Sequence, residues 1–271
     1  MSPKIGIVIP VYNGAKTLAA TLASAMDQEV RAELTLFVVD DGSSDCSVQL
    51  VREFAAGRAN VHCETQPNGG VARARNRGLA LAGGCDFVMF LDQDDVLRPG
   101  ALALLLDRLQ ADAAVGMVYG QVVRIDDDGV QIDETPHRSF RYRRAGLGLQ
   151  KVAGNSGALT SRYLYLDNCI KSPGQALLRL PVLTGARLSF DPDLPGVDDW
   201  DLWFHLSQVT SIVGVPEVTL QYRVHLSNAS HNIRKMRWLG LQMRLKWLRQ
   251  GSVRRAPRIL GGYALRLRRA L

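Results

Sequence analysis

Four apolar runs rich in β-branched residues, at about 4–9, 34–40, 60–65 and 86–91, alternate with stretches of helical apolar spacing at about 14–27, 46–56, 70–82 and 100–112. Strand followed by helix, repeated, predicts βαβ units and an α/β chain built on a mostly parallel central sheet with helices on both faces. Val115 to Val123 is a fifth apolar segment that extends the sheet. Helix starts are signalled by Ser43 and Ser44 before the second helix, Asn68-Gly69-Gly70 before the third and Pro99 at the fourth. From about 126 to 157 the pattern breaks into an Arg- and Gly-rich stretch, which predicts a long loop over the strand ends. Regular signals return with Gln175 to Leu180, a helix opening near Asp198, and strands near Ser211 to Val215 and Thr219 to Val224. From 232 onward, helical spacing puts Trp238, Leu241, Leu245 and Leu248 on one side. The predicted division is one domain over 1–230 followed by a basic amphipathic helical extension over 231–271.

With 271 residues, 46% hydrophobic and 22% charged, the chain can bury a full core. Cys46, Cys63, Cys85 and Cys169 show no metal-binding or disulfide spacing, which fits a reducing compartment. The first apolar run is too short for a signal peptide, and no uncharged stretch is long enough to span a bilayer, so a cytoplasmic chain is expected. The net charge of +7 hides an asymmetry. Twelve cations and no acid lie in 231–271, and without them 21 basic residues face 26 acidic ones.

The cluster Leu91-Asp92-Gln93-Asp94-Asp95 changes the picture, because it directly follows a run that reads as a buried strand. On an extended segment Asp92 and Asp94 point to one side, and two hard oxygen ligands beyond the carboxyl end of a parallel strand suit Mg²⁺ or Mn²⁺ gripping a diphosphate. Taken alone, the cluster reads first as a solvated acidic turn capping the helix that Pro99 opens. Other strand ends add to it. In IPVYNG, Pro10 stops strand pairing and delivers Tyr12, which can stack on a nucleobase or pack as a core aromatic. In VVDDGSSD, Asp40 and Asp41 can accept hydrogen bonds from a base or a ribose, or simply build the turn. Asn68 and two glycines open the third helix, leaving backbone N–H groups and the positive dipole end open to an anion. Arg73, Arg75 and Arg77 cannot all face one site on a helix.

Together, IPVYNGAKTLAATLASAMDQ, VVDDGSSD, NGGVARARNRGLALAGG, FLDQDD and DDWDLWFHL, in this order over about 4–230, resemble glycosyltransferase family 2, whose catalytic domain has the GT-A fold. The resemblance implies an inverting transfer of sugar from a nucleoside-diphosphate sugar to a hydroxyl of a saccharide or lipid-linked acceptor. It implies a nucleotide-sugar half at about 1–125 and an acceptor half at about 126–230. Carried over residue by residue, Pro10, Tyr12, Asp40, Asp41, Asn68 and Asp92 line the donor nucleotide. Asp94 is the more direct metal ligand, with Asp92 beside it and His225 a further imidazole candidate that can equally be structural. Asp199 is the general base. Asp198, which stands where the family more often has Glu, joins Trp200 and Gln175 toward the acceptor.

The basic extension admits two readings, a surface helix on anionic lipid or a helix packed on the body with its arginines solvated. Nucleic-acid binding is not expected from an acidic body without a recognised module. A nucleotidyltransferase would carry a Gly-rich, basic loop after the first strand, which IPVYNGAKTL lacks. A non-catalytic nucleotide-sugar-binding protein or scaffold is the remaining alternative.

Overall fold

The computed structural model describes residues 2–132, 159–225 and 233–251. In chain order the elements are β1 (Lys4–Val11), α1 (Leu18–Met26), β2 (Glu33–Asp40), α2 (Ser47–Ala55), β3 (Val61–Thr65), α3 (Val71–Leu81), β4 (Phe87–Phe90), β5 (Val96–Leu97), α4 (Ala101–Gln110), β6 (Val115–Ile125), α5 (Ser161–Leu166), β7 (Ala176–Arg179), α6 (Leu180–Gly185), α7 (Asp198–Leu206), β8 (Ser211–Arg223) and α8 (Ile233–Arg249). The predicted loop at 126–157 lies outside the described residues beyond Ile132, as do the cations after Gly251.

One sheet holds all eight strands in the order β3-β2-β1-β4-β7-β6-β8-β5. Pairing is parallel through β3, β2, β1 and β4, antiparallel on both sides of β7, and parallel again between β6 and β8. Apolar side chains alternate between two cores, as the pleat requires. Ile5, Ile7 and Ile9 pack with Leu18, Val51 and Leu105 on one face. Val8 lies on the other face, in the core that also holds Trp203, Phe204, Met243 and Trp247. Gly78 of α3 sits so close to β1 that an added Cβ would lie 2.2 Å from Val8 Cγ1, so only glycine allows this helix its approach.

The structure corrects several expectations. Pro10 does not stop strand pairing, since β1 runs on to Val11 with Pro10 opposite Val39. The strands expected at 211–215 and 219–224 form a single strand, because irregular register along β6 absorbs Pro216 and Glu217 without ending β8. Ser43 and Ser44 do not cap α2, whose N-cap is Cys46. In α8 the body covers a different stripe from the one that the spacing marks. Leu239, Met243 and Trp247 are buried, whereas Trp238 is 59% and Leu245 42% exposed.

The described part of the basic extension therefore packs on the body. Trp247 stacks on Phe204 of α7 at 3.7 Å between ring centroids, and its indole N–H donates to Asp201 at 2.7 Å. Lys246 pairs with Asp191 and Asp201. Burial opposes it, but His205, Trp247 and Lys246 hold Asp201 below the usual carboxylate range, so this anchor weakens as pH falls into the acid region. Trp247→Ala is expected to cost about 3–5 kcal/mol, a fall in Tm of roughly 6–20 °C for a domain of this size. Calorimetry reads this directly, and an unchanged Tm would mean that α8 does not hold to the body in solution.

Candidate active site

Because β1, β2 and β4 are parallel, their carboxyl ends emerge along one edge of the sheet, where ligands bind in open α/β folds. The loops after β1 and β2 are stitched together there. Asn13, at φ 50°, donates its N–H to Ser43 Oγ and accepts from Ser44 N, while Gly14 N donates to Ser47 Oγ. The serines that fail to cap α2 thus hold the first loop. Tyr12 projects beside them, 49% exposed.

Asp40 and Asp41 are both buried. Asp40 accepts from Ser43 N and so closes its own turn. Asp41 accepts from Gly69 N at 2.9 Å, Gly70 N at 2.8 Å and Gln66 Nε2 at 2.8 Å. The anion seat expected at the start of α3 is therefore filled by the protein's own carboxylate. Gly42, at φ 77°, lets the loop pass over the backbone of exposed Asn68, whose N would lie 3.0 Å from an added Cβ.

The acidic cluster after β4 is a turn, closed by Asp95 N–H to Asp92 O at 3.1 Å, and not the extended segment expected. It sorts its side chains nonetheless. Gln93 reaches back and exchanges two hydrogen bonds with the Tyr12 backbone. Asp95 is fully buried, accepting from Ser172 Oγ at 2.6 Å and Arg223 N at 3.1 Å. Burial, then Asp94 and Asp92, push it well above the usual carboxylate range. Asp92 and Asp94 share the remaining space, and Asp94 is itself raised by burial and by the Asp92 charge. The short β5 pairs antiparallel with β8, which brings the residues after Arg223 alongside the turn. Arg223 Nε donates to Asp94 O, and His225 Nε2 lies 2.7 Å from Asp94 Oδ2.

The opposite wall comes from α3 and α7. Arg75 is buried, with Nη2 donating to Asp92 Oδ1 at 2.6 Å and Nη1 to Asp198 Oδ2 at 2.7 Å. Its Nε, also buried, has no hydrogen-bond partner among the described residues. Asn76 and Phe190 exchange two hydrogen bonds that tie α3 to the approach to α7. Of the other two arginines, Arg77 pairs with Glu64 at the surface and Arg73 is exposed. Asp199, in the first turn of α7, accepts from Trp200 N at 2.7 Å. Burial and the neighbouring Asp198 push it up to about 7, against the pull of Arg75.

The structure thus gathers Asp92, Asp94, Asp198, Asp199 and His225 around Arg75 and the turn. Two acceptor-side candidates point elsewhere. Gln175 is fully buried, its amide bonded to Lys171 N, Ser172 N and Gly120 O. The Trp200 indole N–H donates to Leu164 O, and its ring lies under Arg244 of α8. Sequence reasoning missed Gln93, Ser172 and Arg223, and it did not single out Arg75. Only the spacing of Arg75 and Gly78 on one helix hinted at an inward face. Among the described residues no three His, Cys, Asp or Glu side chains form a metal cage. Yet Asp94 with His225, beside a crowded Asp92, fits a divalent ion that takes its other ligands from phosphate and water, as Mg²⁺ on nucleotides does.

The profile of glycosyl transferase family 2 matches residues 6–179. Chondroitin synthase of Escherichia coli is 33% identical over 228 residues, covering 84% of this chain and 30% of that protein. Hyaluronan synthase of Pasteurella multocida is 25% identical over 228 residues, covering 84% of this chain and 21% of that protein. The chain thus spans less than a third of the length of these relatives. The structure of S. aureus TarS 1–349 in complex with UDP-GlcNAc superposes with a TM-score of 0.67 at 20% identity, covering 84% of this chain and 61% of that one, which identifies the GT-A fold.

Proposed function

The chain belongs to glycosyltransferase family 2, and on that premise we propose that it transfers a sugar from a nucleoside-diphosphate sugar to an acceptor hydroxyl, with inversion at the anomeric carbon. The observation that carries the reading is the guanidinium of Arg75, which joins Asp92, in the turn that also holds Asp94, to Asp198, the neighbour of Asp199. The acceptor oxygen attacks the anomeric carbon, Asp199 takes its proton, and the bond from that carbon to the diphosphate oxygen breaks with both electrons leaving on the diphosphate. A positioned base contributes about 10²–10⁴-fold to such a step. Asp94 and His225, with Asp92 beside them, would hold a divalent cation, which when bound supplies positive charge to the leaving diphosphate. One base suffices, unlike the two opposed carboxylates of a glycoside hydrolase.

Tyr12 and Asp40 are the donor-base contacts of this reading, and Asp198 positions the acceptor side through Arg75. The reading places the reaction in cell-surface polysaccharide, lipopolysaccharide or glycolipid synthesis at the cytoplasmic face of a membrane, and the relatives' names, chondroitin synthase and hyaluronan synthase, support the polysaccharide part of it. The UDP-GlcNAc complex of TarS makes a UDP-sugar the first donor to try.

A thermal-shift series with UDP, GDP, dTDP, CDP and their sugar conjugates, with and without Mn²⁺, tests the reading. A nucleotide at a hundred times its Kd stabilises the folded state by about 2.7 kcal/mol. One nucleotide is expected to act only with the metal, and Asp94→Ala is expected to weaken that metal-dependent binding at least tenfold. Metal-independent stabilisation would remove the cation from the scheme, and binding without transfer across an acceptor panel would favour a non-catalytic protein.

A further inference from the structure

Helix α8 carries two apolar faces. The inner one, Leu239, Met243 and Trp247 at four-residue spacing, is buried against the body. Trp238 and Leu245, two turns apart on the opposite side, are exposed, with Leu241 and Leu248 half-buried beside them. Packing of the helix on its own body therefore leaves this second stripe unexplained. Exposed Arg234, Lys235, Arg237 and Arg249 flank it, and no acid occurs anywhere in α8. Arg244 donates to the carbonyls of Tyr165, Leu166 and Gly240, and Lys246 pairs with Asp191 and Asp201.

We propose that the outer face of α8 docks on an anionic lipid surface, with Trp238 and Leu245 entering the interface and the flanking cations over the headgroups. Charge decides the occupant. A second copy would bring the same cationic face against itself, whereas acidic lipid complements it, and the six arginines beyond Gly251, again without an acid, extend the same sign. The helix lies along the surface, since no helix among the described residues is long and apolar enough to cross a membrane. Because Arg244 and Trp247 fasten α8 to Trp200 and Phe204, docking would place the first turn of α7, with Asp199, one helix away from the lipid.

The proposal stands independently of the sugar-transfer reading. Its test is co-sedimentation of the full chain with vesicles of phosphatidylcholine alone and of phosphatidylcholine with one third phosphatidylglycerol. Binding is expected to be at least tenfold tighter to the anionic vesicles, to weaken with salt, and to fall at least tenfold in the Trp238→Ser, Leu245→Ser double variant. Both side chains are exposed, so the variant should keep the wild-type Tm and its nucleotide binding. A blue shift of emission on binding should be lost in Trp238→Phe. Equal affinity for both vesicles, or a double variant that binds like wild type, would overturn the proposal. So would a wild-type dimer that the double variant dissolves, since the face would then belong to a second copy.

Discussion

Asp199→Asn is expected to lower the rate of sugar transfer by about 10²–10⁴-fold while leaving metal-dependent nucleotide binding nearly intact. The amide keeps the shape and can still accept from Trp200 N, but it cannot take a proton from an acceptor hydroxyl. The pH dependence sharpens the test. Burial and Asp198 push Asp199 up to about 7, and a base works only when deprotonated, so kcat/KM should rise with pH through that value and level off above it. The residual activity of the Asn variant should lack this limb. The stability effect has the opposite sign. A carboxylate whose pKa is raised by folding destabilises the native state as pH rises past its ordinary value, so Asp199→Asn should not lower Tm at alkaline pH. A fully active variant, or a rising limb that survives in it, would remove Asp199 from the role.

Arg75→Met is expected to affect both stability and chemistry, because it removes the cation shared by the two walls of the site. Breaking a buried pair leaves uncompensated charge and costs about 3–5 kcal/mol. Here Asp92 and Asp198 lose a partner together, and Asp199 loses its nearest positive charge. Without that charge, the rising limb of kcat/KM should move to higher pH, measured beside urea unfolding of the same sample. Arg75→Lys retains the charge but cannot reach both carboxylates with a planar fork. It should therefore restore the position of the limb more than it restores stability. If Arg75→Met unfolds the chain, the Lys variant still decides the matter, and a wild-type profile and stability in it would show that bridging is unimportant.

The alternation from β1 to α4 was legible because its elements are local. β1, β2 and β4 are largely apolar runs, β3 is a shorter mixed one, and each following helix has regular spacing, so their order and approximate ends follow from periodicity. The two acidic segments around Asp92 and Asp199 stood out as candidates from their motifs, and in the structure Arg75 joins Asp92 to Asp198. Long-range pairing was not legible. Nothing local distinguishes Arg75 from Arg73 and Arg77 except which side of α3 meets the sheet, and Gly78 marks that side only once its closeness to Val8 is known. Asp41 reads as a donor contact until Gly69 and Gly70 are seen to occupy it. Gln175 reads as an acceptor contact until its amide is seen turned into the core. For α8, both faces are apolar, so spacing alone could not say which one the body covers.

The carboxylate seated on α3 also constrains the direction in which a substrate can lie. In many nucleotide-binding folds the start of such a helix attracts phosphate, and a ligand can slide toward it. Here that end already carries a negative group, so a diphosphate that strays toward it meets repulsion instead of welcome. In the proposed scheme, only a cation held by Asp94 and His225 would make the acidic turn after β4 attractive to the diphosphate, while the start of α3 repels it. With that cation in place the site would be polarised, and a nucleotide entering the wrong way round would be disfavoured before any contact with the sugar is made.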